Sequence, residues 1–221
     1  MLFLNSDFYL DWGVWVLFKI NSDEKEVYQK LIALGKSKDN TEVIIPKVAE
    51  YIDYPSDKVK AKVLWMLGEF GLKNPQKIAP YVDQIAKALI NKEAKIRERA
   101  VSALGRIGRG NFDLIKSHIP MLLSKAKDPH PDVRMNFIWA CENIATNTPE
   151  AFDTSMEIFS ELLDDEDIRV RRESPEIFRV IGKRRPDLVK PYIEKLKIIS
   201  ETDTDNVVKV HAAGAVNAAK N

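Results

Sequence analysis

Residues 128–145 read DPHPDVRMNFIWACENIA and carry the pattern that decides the fold. Counted from Val133 as position zero, apolar residues follow at positions four, eight and eleven, and the small residue Ala145 follows at position twelve. Steps of four, four and three place side chains on one face of an α-helix. The preceding Asp128-Pro129 pair is a turn signal. The stretch therefore predicts an amphipathic helix that begins after this turn and ends near Ala145.

The Val-Arg pair that opens this helix recurs along the chain at a nearly constant interval. Counted from Val or Ile, the intervals are 37, 37, 37 and 38 residues between Val59-Lys60, Ile96-Arg97, Val133-Arg134, Val170-Arg171 and Val208-Lys209. A fixed period of roughly 20–50 residues is typical of a stacked repeat array. Each unit packs mainly on its neighbours in such an array, so one core runs through all of them.

A second apolar series precedes each pair by fourteen and eleven positions, as in Val82 and Ile85. Three of four units also have a proline sixteen positions after the pair, where it would end a helix. We therefore predict two helices per unit, near residues 41–53 and 56–71, 78–91 and 94–108, 113–127 and 131–145, 150–164 and 168–182, and 187–200 and 205–219.

The N-terminal segment differs from these units. Residues 22–36 have helical spacing without the Val-Lys/Arg mark, and residues 1–20 are rich in aromatic side chains. Terminal repeats are usually atypical, so we predict a helical cap over residues 1–36 and one continuous array over residues 37–221. The cap would cover the apolar edge of the first repeat, and self-association or membrane-surface binding through residues 1–20 are the alternatives.

Composition excludes several classes of protein. The net charge is +1 over 221 residues, which gives no global field for nucleic acid. No Lys or Arg precedes Lys19, as a signal peptide would require, and the uncharged run over residues 12–18 is too short to span a bilayer. The one cysteine, Cys141, lies on the apolar face of its helix and is expected in the core. These features predict a cytoplasmic protein.

The turn and the pair together resemble the HEAT/armadillo family of α-solenoids. The residues that carry the resemblance are Asp128…Val133-Arg134, Asp165…Val170-Arg171 and Asp203…Val208-Lys209. The resemblance implies an all-α, right-handed α-solenoid of about five two-helix HEAT-like repeats. It also implies a hydrogen-bonded ladder between the aspartate and the arginine of neighbouring units, which gives these basic residues a structural role. Asn91 replaces the aspartate in the second unit and should weaken the ladder there.

The resemblance further implies that the second helix of each unit lines the concave side. Positions two, six, nine, ten and thirteen then face away from the core, and Glu98 is among them. The candidate partner-binding residues of this face are Trp65, Glu69, Arg106, Trp139, Asn143, Arg172 and Arg179. Large exposed aromatic side chains tend to mark binding sites. The alternative is a small helix rotation that places each indole between neighbouring units.

One unit resembles the importin-alpha type of armadillo repeat, because Asn143 follows Trp139 by one helical turn. The resemblance implies that the asparagine amide binds an extended peptide backbone and that tryptophans form slots for the aliphatic stems of basic side chains. Trp65 departs from this pattern, since Glu69 stands in the asparagine's place. A basic peptide could use the tryptophans, Glu69 and Glu142, and an acidic partner could use the arginines, so the partner's charge stays open.

Two basic clusters, in residues 97–109 and 169–185, could contact phosphates. Acidic residues within 161–167 could instead neutralise the second cluster. The chain contains no motif for a catalytic nucleophile, a phosphate loop or a metal site, so we predict no enzyme activity, no cofactor and no metal. The leading hypothesis is a non-catalytic scaffold that binds a protein or peptide on the concave face. The alternatives are a nucleic-acid-binding protein related in fold to DNA alkylation-repair glycosylases, and an oligomer built through the cap.

Overall fold

The computed structural model describes residues 23–37 and 39–220, and every regular element in these ranges is helical. We number the α-helices in chain order: α1 (residues 23–36), α2 (Thr41–Ala49), α3 (Asp57–Lys73), α4 (Pro75–Ile78), α5 (Val82–Lys87), α6 (Ala94–Gly110), α7 (Ile119–Leu123), α8 (Pro131–Ala145), α9 (Met156–Leu162), α10 (Ile168–Gly182), α11 (Pro186–Val189), α12 (Ile193–Thr202) and α13 (Asn206–Ala218). The remaining helical segments are short 3₁₀ turns. Residues 1–20, the predicted association segment, lie outside the described residues.

The second helices of the five units stack in chain order, with α3 on α6, α6 on α8, α8 on α10 and α10 on α13. The predicted α-solenoid is confirmed. Side chains at the starts of these helices explain where they begin: the carboxylates of Asp167 and Asp205 accept hydrogen bonds from backbone N–H groups of the first turns of α10 and α13. Such caps satisfy N–H groups that have no partner within the helix.

The predicted core positions are buried in each unit. Positions zero, four and eight are buried throughout, and position eleven is half-buried only at Phe70 and Ala219. Cys141 is fully buried, and burial raises the pKa of its thiol well above the usual value. The helical period read from the sequence therefore gives the correct inward face of all five second helices.

The first helix of each unit is less regular than predicted. The continuous helices expected over 78–91, 113–127, 150–164 and 187–200 are wrong, because α-helical pieces alternate there with 3₁₀ turns. Pro80, Pro120 and Pro191 lie inside three of these stretches, and a proline removes the N–H that an uninterrupted helix needs. In the fourth unit the break falls at residues 153–155, which contain no proline.

The predicted ladder is present along the turns between helices. Arg97 donates to Asp128 of the next unit with N···O distances of 2.6 and 2.7 Å, and Arg134 donates to Asp165 at 2.7 and 2.8 Å. Each of these arginines also donates to backbone carbonyls of its own turn. The weakest rung, Arg171 to Asp203, has a separation of 3.8 Å. These pairs join consecutive units, so their role is structural as expected.

The first rung is absent. No hydrogen bond or ion pair joins Lys60 to Asn91 in the described part of the chain, and the Asn91 side chain instead accepts from the backbone N–H of Glu93. An asparagine has no negative charge to attract the lysine. The prediction of a weaker ladder in this unit is therefore confirmed.

Glycine at position nine allows two pairs of second helices to approach closely. A Cβ atom on Gly105 would lie 2.5 Å from Cα of Ala140, and one on Gly68 would lie 2.8 Å from Cα of Ala103. Real Cβ atoms do not reach such distances, so only glycine fits there. The contact joins α3 to α6 and α6 to α8. Later units carry Glu142 and Arg179 at this position.

Candidate functional site

The exposed sides of α3, α6, α8, α10 and α13 form a surface that we call the second-helix face. Trp65 and Trp139 occupy position six on this face and are 37% and 38% exposed. Both indoles are thus partly exposed, and that of Trp139 also contacts the next unit through Glu173. The predicted exposed side is wrong at two positions. Gly68 and Gly105, at position nine, are buried against the next helix. Glu98, at position two, is 8% exposed, and both of its carboxylate oxygens accept from Nζ of Lys95.

A groove runs along the N-terminal half of this face. Its first part has a volume of about 440 Å³ and lies between α1, α3 and α6, with Trp65 in its wall. The second part has about 380 Å³ and reaches Trp139 on α8. Lys95 and Arg99 line both parts. The two tryptophans therefore line two adjoining depressions that share Lys95 and Arg99, and we call the two together the groove.

Glu69 and Arg106 form an ion pair between the two tryptophans. Arg106 Nε lies 2.8 Å from Glu69 Oε1, and the arginine also donates to the carbonyl of Ser102. Both side chains are partly exposed. The structure thus brings together two predicted site residues whose charges cancel, and a charged partner would have to compete with this pair.

The polar groups of Trp139 and Asn143 have partners within the chain. The indole N–H of Trp139 donates to Glu173 at 3.0 Å. The Asn143 amide donates to the carbonyl of Trp139 at 2.9 Å, and its oxygen accepts from Arg109 at 3.3 Å. The two residues lie one turn apart on one face, as predicted. A peptide backbone would have to exchange with Arg109 to reach the asparagine oxygen.

Arg172 and Arg179, the remaining predicted site residues, lie apart from the groove and hold carboxylates. Arg172 donates to Asp205 with distances of 2.6 and 3.1 Å, and this interaction raises the pKa of Arg172 and lowers that of Asp205 to about 2. Arg179 donates to Glu176 on its own helix. Neither arginine offers a free charge to a partner.

Other basic residues of the 169–185 cluster are also paired. Arg169 contacts Asp167 and Asp132, and Arg185 contacts Asp187 and Asp153. Asp167 is the one acid of this set that lies in the upstream segment 161–167, so these arginines are neutralised as the sequence suggested, but chiefly by acids outside that segment.

Lys62, which no sequence pattern marked, and Arg99, a member of the predicted 97–109 basic cluster, make no hydrogen bond to a carboxylate among the described residues. Lys62 Nζ lies 4.2 Å from the centroid of the Trp65 ring, within the range of a cation–π contact. Burial, and secondly the charge of Arg99, lowers the pKa of Lys62. The nearest carboxylate oxygen to Arg99 belongs to Glu98 at 3.9 Å. Both residues hold position three of their helices, and this shared position is the signal that could have found them.

Comparison with known proteins agrees with this geometry. A family model described as HEAT repeats matches residues 82–174. A solved structure of a designed armadillo repeat protein in complex with the peptide (KR)4 is 22% identical, covers 90% of this chain and 95% of that chain, and has a TM-score of 0.64. Residues 82–174 thus match HEAT repeats, and the chain has the fold of a HEAT/armadillo-type α-solenoid.

Two further solved structures resemble this HEAT/armadillo-type array. One is of computationally designed armadillo repeat proteins for modular peptide recognition, with 20% identity, coverage of 90% and 96% of the two chains and a TM-score of 0.63. The other is of an engineered protein, with 19% identity, coverage of 87% and 98% and a TM-score of 0.64. A search of curated proteins finds no match. At these identities the likeness concerns the fold alone.

A metal site and a membrane-spanning helix are both absent from the described part of the HEAT/armadillo-type array. It contains no group of three or more His, Cys, Asp or Glu side chains arranged to hold a metal ion. Among the same residues, no helix is long and apolar enough to cross a membrane.

Glu142 is the most perturbed carboxyl group of the array. It occupies position nine, which is glycine in the two preceding units, and its Oε1 is buried without a hydrogen-bond partner. Burial, and then the charges of Glu176 and Glu173, raise its pKa to about 8, while Arg179 opposes the shift. Glu142 is therefore mostly uncharged at neutral pH and is a poor contact for a basic peptide.

We expect Glu142→Gln to stabilise the protein at about pH 8 by roughly 1–3 kcal/mol. In the unfolded chain the pKa of this carboxyl returns to its ordinary value near 4.5, against about 8 in the folded protein. Between these values the folded state keeps a proton that the unfolded state has lost. The free energy of unfolding therefore falls as the pH rises, by up to about 1.4 kcal/mol per pH unit, until the fall ends above about pH 8.

Urea unfolding of both proteins between about pH 5 and about pH 9 measures this slope. Glu142→Gln should lack the fall that wild type shows, whereas the exposed Glu150→Gln should keep it. An unchanged slope in Glu142→Gln would show that the carboxyl is not the source.

Proposed function

We propose that this HEAT/armadillo-type array is a non-catalytic scaffold that binds a protein or peptide partner along its second-helix face. The observation that carries the proposal is the pair of adjoining depressions that form the groove, one lined by Trp65 and the other by Trp139. Both indoles are more than a third exposed, although burying them would be favourable. A groove lined by separated aromatic side chains suits a partner that crosses several units.

An extended peptide is the class of partner that this surface suits best. The groove follows the stack of helices from α1 to α8, so a strand-like segment can contact several units at once. A designed armadillo repeat protein of similar fold has been solved with the peptide (KR)4, which supports the use of such a surface for peptides. Trp65 and Trp139 would be the anchors. Glu69, Arg106 and Asn143 would contact the peptide after exchanging their present partners.

The nucleic-acid alternative has less support. A phosphate backbone calls for several unpaired cations in a row, but the Arg169–Arg185 region is largely paired with carboxylates. Arg172 and Arg179, which the sequence predicts to contact a partner, belong to these pairs. They would act only if a partner displaced Asp205 and Glu176. Self-association through residues 1–20 and a cytoplasmic location stay predictions.

Trp65→Ala or Trp139→Ala should weaken peptide binding by roughly tenfold or more without unfolding the array, because truncation of a central aromatic anchor commonly costs more than about 1 kcal/mol. Peptides would be selected from a random display library against the full chain, and their affinities measured by fluorescence anisotropy. Circular dichroism would show that each variant stays folded.

Ile90→Ala is the matched control, because Ile90 is 71% exposed in the first helix of its unit and lies outside the groove. The proposal is supported if both tryptophan variants lose binding while Ile90→Ala keeps it. Peptides that bind all variants equally, or a selection that yields no binder, would contradict it.

A further inference from the structure

Lys62 and Arg99 are two cations on one groove that make no hydrogen bond to a carboxylate among residues 23–37 and 39–220, and the one ion pair between them and a described carboxylate is that of Arg99 with Glu98 at 3.9 Å. Their basic neighbours are paired: Lys58 lies 3.7 Å from Glu24, and Lys95 binds both oxygens of Glu98. Arg99 makes no hydrogen bond to a carboxylate, and Lys62 contacts only the ring of Trp65. The wall of the groove thus keeps two cations that no carboxylate of the described residues binds by a hydrogen bond.

This arrangement is electrostatically unfavourable in the empty groove. The charge of Arg99 and partial burial both lower the pKa of Lys62, which means that its environment disfavours the protonated form. An anion placed between the two side chains would relieve the repulsion and gain two attractive contacts. A guanidinium and an ammonium group can together bind the two oxygens of one carboxylate.

The opposite preference, for a basic partner, has little support on this face because its carboxylates are occupied. Glu69 pairs with Arg106, Glu176 with Arg179, and Glu173 accepts from the indole of Trp139. Glu142 is buried with its pKa raised to about 8. Asp57 is the one acidic residue among the described residues that line the depression beside Trp65, and four cations, Lys58, Lys62, Lys95 and Arg99, outnumber it there.

We propose that the groove selects acidic peptides, with an aspartate or glutamate side chain bound between Lys62 and Arg99 and a neighbouring apolar side chain on Trp65. This inference rests on the proposed function and adds the chemistry of the partner. Two cations beside an indole suit one carboxylate and one apolar group. A nucleic acid would need a longer run of free cations than this face provides.

The test uses three sets of labelled peptides with the same mixture of aliphatic and aromatic residues at all positions but one. At that position the acidic set has Asp or Glu, the neutral set has Asn or Gln, and the basic set has Lys or Arg. Affinities for the full chain would be measured by fluorescence anisotropy at low and at moderate salt. The acidic set should bind roughly tenfold tighter than the neutral set and tighter still than the basic set. The preference should shrink as salt increases.

Lys62→Gln and Arg99→Gln should each remove most of this preference, and the double charge reversal Lys62→Glu with Arg99→Glu should favour the basic set. Lys127→Gln is the matched control, because Lys127 lies on the first helix of its unit and pairs with Glu161 on the surface. Thermal unfolding would confirm that the variants are folded. Glu98 keeps both hydrogen bonds from Lys95 when Arg99 is changed, and Lys62 has no carboxylate partner among the described residues, so the neutral variants should fold.

Each outcome separates this inference from the proposed function. Tryptophan-dependent binding without an acidic preference would overturn the inference and leave the scaffold in place. An acidic preference that survives both glutamine variants would place the carboxylate elsewhere and overturn it as well. Absence of tryptophan-dependent binding would contradict both. A further outcome is a single-stranded or duplex oligonucleotide that competes with the acidic peptides and loses this ability in Lys62→Gln. That result would overturn the inference, because the partner would then be a nucleic acid and not a peptide.

Discussion

Replacing Asp165 by alanine should destabilise the protein by about 3–5 kcal/mol, because the Arg134 guanidinium then stays buried without its counter-charge. Arg134 donates to both oxygens of Asp165, at 2.7 and 2.8 Å, and the two side chains are only 9% and 7% exposed. Asp165 also accepts from the backbone N–H of Asp167 at the start of the fourth unit's second helix. Urea unfolding followed by circular dichroism measures the loss.

Glu161→Ala is the control for this variant, since Glu161 pairs with Lys127 at 3.0 Å on the open surface. An exposed pair of this kind contributes less than about 1 kcal/mol. Arg134→Met combined with Asp165→Leu should recover much of the loss, because the double change leaves no unpaired buried charge. An Asp165→Ala protein as stable as Glu161→Ala would show that the ladder does not hold the units together.

Gly105→Ala should destabilise the protein by roughly 3 kcal/mol, because the added methyl group overlaps the backbone of the facing helix. The new Cβ would lie 2.5 Å from Cα and 2.6 Å from Cβ of Ala140. These atoms belong to a packed helix and cannot rotate away as a flexible side chain would, so α6 and α8 must separate. Thermal or urea unfolding of the purified variant measures the change.

Gly214→Ala is the matched control on α13. A Cβ there would meet only Cδ of Arg179 at 3.5 Å, an ordinary contact distance. Alanine favours the helix over glycine by up to about 1 kcal/mol, so this variant should be slightly more stable than wild type. If both substitutions change stability in the same direction and by similar amounts, close approach at Gly105 does not determine the helix spacing.

The sequence predicts most of this fold because a repeat array encodes its core several times. The same apolar positions recur in five units, so the inward face of each second helix follows from the period alone. The breaks in the first helices were missed, although Pro80, Pro120 and Pro191 were visible, because the apolar spacing continues across them. The ladder partners followed from the family resemblance and the turn positions.

The candidate site was less predictable. Position six correctly placed Trp65 and Trp139 on the surface. The charge state of the face depends on which carboxylate of a neighbouring unit reaches each cation, as Asp205 reaches Arg172, and periodicity does not supply such distances. The burial of Glu142 likewise depends on how closely two helices approach at position nine. Arg99 was part of the predicted 97–109 basic cluster, but its position beside Lys62 in the wall of the groove is known only from the structure.

Glycine at position nine and the arginine ladder are not distributed equally along the array. Between α3 and α6 the glycine contact is present and the ladder pair is missing. Between α8 and α10 the ladder pair Arg134–Asp165 is present and the glycine contact is missing. Only the junction of α6 and α8 has both, through Gly105 and the Arg97–Asp128 pair. The free energy of a linear array is approximately a sum of nearest-neighbour couplings. The strongest coupling thus lies near the middle of the chain, where a folding nucleus can form and from which order spreads toward both ends.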